Sequence, residues 1–461
     1  MEHMITRAFF CLALAGPVAL AAQTVTVPPN LILPNYDRIP VGQREGIEAG
    51  AYLARTNDAA ANWYNPAGLA KSVKSSLNAS ATAYEWTSMS LEGFGVSEGR
   101  SRISSVGTLL GVVIGEDVLH SDHVRLGFAI TRPIVWQPSS IELSFPLQSG
   151  QELIAYSTNV SFDVMVPSLS VAYAPGGVAS GRVRLGAGLG VAVTTMGQDQ
   201  DVSDRVTTPT TATVRRNNFA SDGSTWQLRL TGGVQWDATS RVTLGAFVVA
   251  PTTRISGTSR LASVNSNWTP VQLSDFTFAD PEVPLDYRLP LELAAGGALQ
   301  FAKGQIELDV HYYGALDPYV LYESALTGRL TVVDNGGAPV VTTPPFGTTM
   351  NSARAVTNIA LGGSYPLSGK FRFHAGFSTD RSPVADQTQS LFRQVDLSRV
   401  TAGISLTGLR LSGSLGFGYS FGSGTRQTLG STLGGQQTET RLSVKSANLL
   451  FALSYGVGSQ P

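Results

Sequence analysis

From Ser75 onward the chain repeats one pattern, in which apolar residues alternate with small or polar ones at a period of two. Val183, Leu185, Ala187, Leu189, Val191 and Val193 alternate with Arg184, Gly186, Gly188, Gly190, Ala192 and Thr194. Trp226, Leu228, Leu230, Val234 and Trp236 alternate with Gln227, Arg229, Thr231 and Gln235. Leu411, Leu415, Phe417, Tyr419 and Phe421 alternate with Ser412, Ser414, Gly416 and Gly418. A strand turns successive side chains to opposite faces, so each segment has one apolar face and one face rich in glycine, serine and threonine. In a water-soluble sandwich the apolar face is the core and the other face carries lysine and glutamate. Here charged residues are only 14% of the chain and glycine reaches 49 residues, against roughly a quarter charged in ordinary globular domains. The mature chain contains no apolar run of the roughly 18 residues that a membrane-spanning helix needs. The apolar faces are therefore expected to meet hydrocarbon, in an all-β fold built as an antiparallel transmembrane β-barrel.

Fourteen such segments can be counted: 75–89, 102–116, 123–133, 155–175, 182–196, 224–237, 241–254, 284–302, 305–317, 352–366, 370–381, 395–407, 410–422 and 441–457. Most supply the ~9–11 residues of a tilted spanning strand. The connections alternate in length. Tight ones such as Ala238-Thr239-Ser240, Lys303-Gly304 and Gly408-Leu409 follow the even segments, and longer ones such as 197–223, 255–283 and 318–351 follow the odd. Short periplasmic turns, long extracellular loops and an even strand count mark a bacterial outer-membrane barrel, with both termini periplasmic.

Ahead of the strands, Arg7 precedes an apolar core from Ala8 to Leu20. Ala19-Leu20-Ala21 or Leu20-Ala21-Ala22 then offers small residues for cleavage, so residues 1–22 read as an export signal. Removing them takes away Glu2 and Arg7 together, which leaves the net charge at −1, and also Cys11, the only cysteine. Cys11 sits inside the apolar core, so no lipid anchor is expected, and the mature chain has no thiol for a disulfide or metal site. Residues 23–44, with Pro28, Pro29, Pro34 and Pro40, read as an extended linker. The stretch from Glu45 to Lys71 is rich in small residues and lacks strand alternation. Pro66 forces Asn65 out of the α region and removes a backbone donor, so a short helix must stop there. Asp58 can cap the turn from Ala59 to Tyr64. The expected organisation is a signal peptide (1–22), an N-terminal extension with a small helical hatch (23–72), and a barrel (73–461).

The run Asn57-Asp58-Ala59-Ala60-Ala61-Asn62-Trp63-Tyr64-Asn65-Pro66-Ala67-Gly68-Leu69, leading into fourteen strands, resembles the FadL/TodX-like outer-membrane family that transports fatty acids and aromatic hydrocarbons. The likeness covers the mature chain in architecture and residues 45–72 at motif level. It implies that the N-terminal segment is a hatch plugging the lumen, with Asp58, Asn65, Pro66, Ala67 and Gly68 in its gating part. It further implies that hydrophobic solutes enter at loop-formed sites and leave sideways at an inward kink in the third strand. Sideways exit has a physical logic, since moving from an apolar site into water costs about 25 cal/mol per Å² of apolar area. Proline cannot donate to a ladder, so Pro133 in the third segment and Pro167 in the fourth are the candidate kinks; a plain strand end at Pro133 is the alternative. The chain departs from the family pattern by running past Phe451 and Tyr455 to Pro461, where such barrels end on an aromatic read by the assembly machinery.

By alternation, Arg125, Arg184, Arg229, Arg372, Glu292, Glu307, Asp309, His311 and His374 face the lumen. The arginines could hold an acidic headgroup, because guanidinium pairs well with carboxylate; alternatively the set staples the lumen and the hatch internally. Phe276 and Phe278, in the expected loop 255–283, are candidates for an exposed apolar entry patch, and Trp268 for an interfacial belt. No Gly-Xaa-Ser-Xaa-Gly elbow, phosphate loop or dinucleotide fingerprint is present, so no catalysis is expected. His120-Ser121-Asp122-His123 has metal-binding residue types but lies in a short polar turn, and neither a metal nor a cofactor is expected. The net charge argues against nucleic acid as a partner. The expectation is a passive, monomeric importer of hydrophobic small molecules in the outer membrane of a Gram-negative bacterium, with membrane lipid and the barrel assembly machinery as partners. A general polar-solute porin and a surface structural or adhesion barrel are the alternatives.

Overall fold

The computed structural model describes residues 34–457 except 37–39, 92–95, 137–140, 147–151, 179, 208–211, 385–394, 409 and 428–438. The expected signal peptide with Cys11 and the extension 23–33 lie outside the described residues.

Fourteen antiparallel staves close into one barrel. The first six are β1 (Ser76–Leu91), β2 (Val96–Ile114), β3 (Val124–Trp136) continued by β4 (Ile141–Pro146), β5 (Glu152–Tyr173), β6 (Val183–Thr207) and β7 (Ala212–Asp237). The seventh is β8 (Val242–Val249) continued by β9 (Thr253–Trp268), and the eighth joins β10 (Gln272–Pro284) to β11 (Glu292–Phe301). The ninth strings together β12 (Gly304–Tyr313), β13 (Leu316–Glu323) and β14 (Arg329–Asp334), and the tenth β15 (Val340–Thr342), β16 (Thr348–Ala353) and β17 (Val356–Pro366). The last four are β18 (Phe371–Asp380), β19 (Leu397–Thr407), β20 (Leu411–Gln427) and β21 (Glu439–Gly456). β21 pairs with β1 from Ser76↔Gly456 to Leu91↔Leu442, which closes the sheet.

The period-two pattern holds as drawn. In β5, Phe162, Val164 and Val166 are buried inside while Met165, Leu169, Val171 and Tyr173 are exposed on the outer wall. Leu189, Trp226, Leu230, Trp236, Leu415 and Leu453 continue that outer apolar surface. The long connections differ from expectation. Residues 197–223, 255–283 and 318–351 are mostly strand. β6 and β7 stay paired out to Thr207↔Ala212, and β9 and β10 to Leu273↔Trp268. The reason lies inside, because Met196, Phe219, Leu261, Phe276 and Phe278 on these extensions bury each other, and a ladder persists wherever its inner face has something to pack against. Trp268 stands exposed at the end of β9.

The N-terminal segment runs inside this wall. Asn35 donates through Nδ2 to the Asp380 and Val395 carbonyls, 2.9 and 3.1 Å away at the outer ends of β18 and β19. The chain then descends through α1 (Arg44–Ile47) and α2 (Ala61–Tyr64) to a 3-10 helix, Pro66–Lys71. α2 stops before the proline, and Asn65 is extended at φ −165° and ψ 105°. Its Oδ1 accepts from Ala67 N at 3.1 Å, so Asn65 caps the 3-10 helix that follows. Asp58 Oδ1 accepts from Ala60 N at 2.8 Å, within the turn it was expected to cap.

Glycine on the inner wall makes room for this segment. A Cβ on Gly186 would collide with the backbone of Pro66 and Ala67, and one on Gly233 with the Asn65 side chain. Gly186→Val is therefore expected to leave the barrel folded, as judged by heat-modifiable migration, while unseating the Asn-Pro-Ala turn. Planar-bilayer recording should show raised ion conductance; a conductance equal to the parent's would mean that the turn seats without that space.

Candidate functional site

The inner wall holds the N-terminal segment through a chain of charges. Arg55 donates from Nε to Glu307 at 2.5 Å and from a terminal nitrogen to Glu48 at 2.6 Å. The other oxygen of Glu48 meets His374 Nδ1 at 2.6 Å, and His374 Nε2 meets Ser405 Oγ at 2.7 Å. Ala54 N donates to Glu307 and Leu53 N to Asp309, at 2.5 and 3.0 Å. Thr401 and Ser414 hydroxyls donate to the carbonyls of Ile47 and Gln43. Serine, histidine and glutamate here have the connectivity of a nucleophile, base and acid. His374 and Glu48 have fully buried side chains and Ser405 is buried too, so the arrangement lacks the open reacting position that catalysis requires. Its geometry is that of a clamp.

Three of the four singled-out arginines belong to the wall itself. Arg125 donates to the Ser72, Ser121 and Val124 carbonyls and so ties down the end of the N-terminal segment. Arg184 pairs with Asp237 at 2.7 Å, and Arg372 donates to Ser364 Oγ at 3.2 Å. Arg229 is different. It is only 3% exposed, and the Glu292 carboxylate acts on its guanidinium without a close ion pair. It lies 4.5 Å above the ring of Trp63, on α2. Glu292 and His311 pair with each other at 3.0 Å. Together with Trp63, Tyr64, Pro133 and Arg399 they border a cavity of about 50 Å³. On the N-terminal segment, burial pushes the Glu45 carboxyl up to about 8, and the neighbouring Asp58 adds to the shift; neither of its oxygens finds a donor.

Outward from Trp63 runs an apolar column. Ile134, Phe162, Val164, Val166, Phe276, Phe278, Leu285, Tyr287, Leu321 and Tyr322 form one buried cluster, with Trp63, Leu330 and Phe346 packed against it. Phe162 meets Tyr287 edge-on at 5.2 Å, and Phe278 stacks on Phe346 at 4.1 Å. Phe276 and Phe278 are thus not exposed loop residues, as expected, but 8% and 5% exposed side chains on the inner face of β10. The residues taken for loop are strand, and alternation turns both rings inward. A groove of about 930 Å³, among Asn159, Asp199, Asp222 and Arg260, is larger; it is lined mostly by the outward-facing side of the extension and shares Leu261 with the column.

The wall beside this column is broken. β2 pairs with β3 only from Ile114↔Leu126 to Leu109↔Thr131, and no pairing between the two continues beyond that point among the described residues. On the other side β3 skips a step: Thr131 faces Val166 but Ile134 faces Val164, so Arg132 and Pro133 share one partner position. This is a bulge, where proline costs no ladder hydrogen bond. Arg132 pairs with Asp163 across it. At Pro167 the register holds on both sides, with Ile130 opposite and Met165↔Val193 and Ser168↔Gly190 in phase. Of the two proline positions, the one at Pro133 carries the irregularity.

Sequence reasoning did not single out Glu48, Arg55, Trp63, Arg132 or Asp163 as site residues. A signal was present for Arg55, the one basic residue between Arg44 and Lys71. Removing one member of a buried pair costs about 3–5 kcal/mol, whereas replacing both by apolar residues is often nearly neutral. Arg55→Met or Glu307→Leu alone should therefore lower stability by about that amount in equilibrium urea unfolding of the barrel in vesicles. The double variant should recover most of the loss, and additive losses would exclude a mutual clamp.

Among the described residues no group of three or more histidine, cysteine, aspartate or glutamate side chains is arranged to hold a metal ion. Neither a protein-family model nor a curated protein sequence matches the chain. Solved structures do. A FadL homologue of Pseudomonas aeruginosa superposes with a TM-score of 0.59 at 14% identity, covering 93% of this chain and 100% of that one. The Pseudomonas putida toluene transporter TodX gives 0.56 at 14% identity, covering 92% and 99%. The Ralstonia pickettii toluene transporter TbuX gives 0.54 at 13% identity, covering 91% and 99%. At such identities the likeness is one of fold, and by fold this chain is a closed fourteen-stranded transmembrane barrel of the FadL and TodX kind.

Proposed function

We propose that the chain is a passive outer-membrane importer of hydrophobic small molecules. The observation that carries this reading is the apolar column inside a transmembrane barrel, because barrel interiors that pass water and ions are polar. A hydrophobic solute would part the side chains of the column, meet Trp63, and leave through the wall where the β2–β3 ladder ends beside Pro133. Sideways exit keeps it in contact with apolar surface throughout. The hatch, with Asp58, Asn65, Pro66, Ala67 and Gly68, closes the route toward the periplasm. The reading includes cleavage after residue 22, insertion by the barrel assembly machinery, and a monomer surrounded by outer-membrane lipid. The folds of a FadL homologue and of two toluene transporters agree with it.

Arg229 points to the substrate class. The Glu292 carboxylate that acts on Arg229 is already held by His311, so an entering carboxylate would give the buried guanidinium a direct partner. We therefore favour amphiphiles with an acidic head, long-chain fatty acids foremost, over neutral hydrocarbons. A general polar-solute pore fits a packed apolar column poorly.

The first measurement is uptake of labelled oleate by cells lacking their own importer, with a small sugar as control. Saturable oleate uptake without sugar flux is expected, falling in Asn65→Ala/Pro66→Ala. Sugar flux without oleate uptake would replace this reading with an open pore. Arg229→Leu should lower oleate uptake about tenfold, the value of one charge-assisted hydrogen bond, and leave toluene uptake unchanged. An equal loss for both would remove the headgroup role.

A further inference from the structure

Seven strands leave the end of the barrel where short turns join them: β1, β3, β6, β8, β12, β18 and β20. The residues just before them are Ser75, His123, Arg182, Arg241, Lys303, Lys370 and Arg410, so each of the last five strands starts behind a cation. The five turns concerned, 174–182, 238–241, 302–303, 367–370 and 408–410, contain these cations and no aspartate or glutamate. The bias is local, because the whole chain carries 33 acidic against 32 basic residues. The remaining short connection, 115–123, is the opposite case, with Glu116, Asp117 and Asp122.

Backbone pairing fixes the level of these cations. The carbonyls of Arg182, Arg241, Lys370 and Arg410 accept from the amides of Asp237, Gln300, Thr407 and Gly456 on the adjacent strand, at 2.8, 2.7, 2.9 and 2.9 Å. All five residues are exposed, and among the described residues none of their side chains makes an ion pair or hydrogen bond. The apolar wall begins immediately beyond them. Val183, Phe371 and Leu411 follow their cations directly and stand exposed on the outer surface, as does Phe301 two residues before Lys303. The cations thus lie where the hydrocarbon-facing surface ends, the level at which a bilayer places its headgroups. Long basic side chains at such a level run their methylene stems along apolar surface and present the charge to the headgroups.

We propose that the short-turn end of the barrel binds anionic phospholipids, with the five cations holding the phosphodiesters of one leaflet along an arc from β6 to β20. A phosphate accepts charge-assisted hydrogen bonds from lysine and arginine, and cations beside a membrane concentrate acidic lipid around them. The arc runs from the fifth stave to the thirteenth. A headgroup layer fits that spread, because it meets a barrel at one level on every side, whereas a docking protein meets one side. The acidic connection 115–123 interrupts the arc beside β3 and repels acidic lipid there. Such binding needs only the transmembrane barrel and is independent of the solute carried.

The purified barrel, immobilised in dodecyl maltoside, is equilibrated with equal amounts of dioleoylphosphatidylglycerol and dioleoylphosphatidylcholine and washed, and its retained lipid is quantified by mass spectrometry. An excess of phosphatidylglycerol of about fivefold is expected at low salt, falling below about twofold in about 0.5 M sodium chloride, which screens exposed charges. The variant Arg182→Gln/Arg241→Gln/Lys303→Gln/Lys370→Gln/Arg410→Gln, shown to be folded by heat-modifiable migration, should fall below about twofold as well. A control, Arg205→Gln/Arg215→Gln/Arg216→Gln/Arg260→Gln/Arg329→Gln, removes as many charges at the opposite end and should keep the excess. Equal retention of both lipids by the parent would overturn the proposal in favour of a solvated rim or a protein-docking face. An equal fall in the two variants would overturn the assignment to the short turns. Should the first variant not fold, Lys303→Gln/Lys370→Gln is expected to cut the excess by about half, and an unchanged excess would reject the rim.

Discussion

A backbone that crosses hydrocarbon has no water to satisfy its amide and carbonyl groups, so every strand must find a neighbour on both sides. Closure of β21 onto β1 meets that demand for fifteen of the sixteen residues of β1, from Ser76 to Leu91. It also gives weight to a place where, among the described residues, the demand is not met. Among the described residues the ladder between β2 and β3 ends at Leu109↔Thr131, while β2 remains paired with β1 far beyond. Pro133 is compatible with that position because an unpaired edge asks nothing of its missing N–H. The Arg132–Asp163 pair holds the bulge on the other side.

The interior follows from the same closure. A barrel of this size has room for more than its own side chains, and two kinds of filling divide the space. Toward the end where short turns join the strands the inner faces are glycine and serine with scattered charges, and the N-terminal segment docks there through buried ion pairs and backbone donors. Farther out the inner faces of β5, β6, β7, β9 and β10 turn apolar and pack on one another. Trp63 stands at the border of the two, with an arginine on one side of its ring and the apolar column beyond.

Stability and motion are distributed accordingly. Buried charge pairs are expensive to break, so the clamp around Arg55 is a poor candidate for repeated opening. Alanine packing against alanine gives up little when it parts, because little apolar area is involved. The turn Asp58–Tyr64 lies against β2 and β3 beside the broken ladder, and this coincidence ties the hatch to the wall.

Period-two alternation between apolar and small residues, together with few charges, determined the transmembrane barrel, its fourteen staves and the inward direction of Arg229, Glu307, Asp309 and His374. These are local facts, since a strand's two faces are set by adjacent residues. The Asn-Pro bend and the Asp58 turn were legible for the same reason. Tertiary structure alone decided the rest. Phe276 and Phe278 read as loop residues because nothing near them in sequence reveals the partners across the barrel that bury them. Pro133 and Pro167 look alike in sequence, and only the pairing of β3 with β2 and β5 distinguishes a bulge at a ladder end from a proline in unbroken register. Which arginines are neutralised likewise depends on residues dozens to hundreds of positions away, as with Arg55 and Glu307, and no local pattern carries that information.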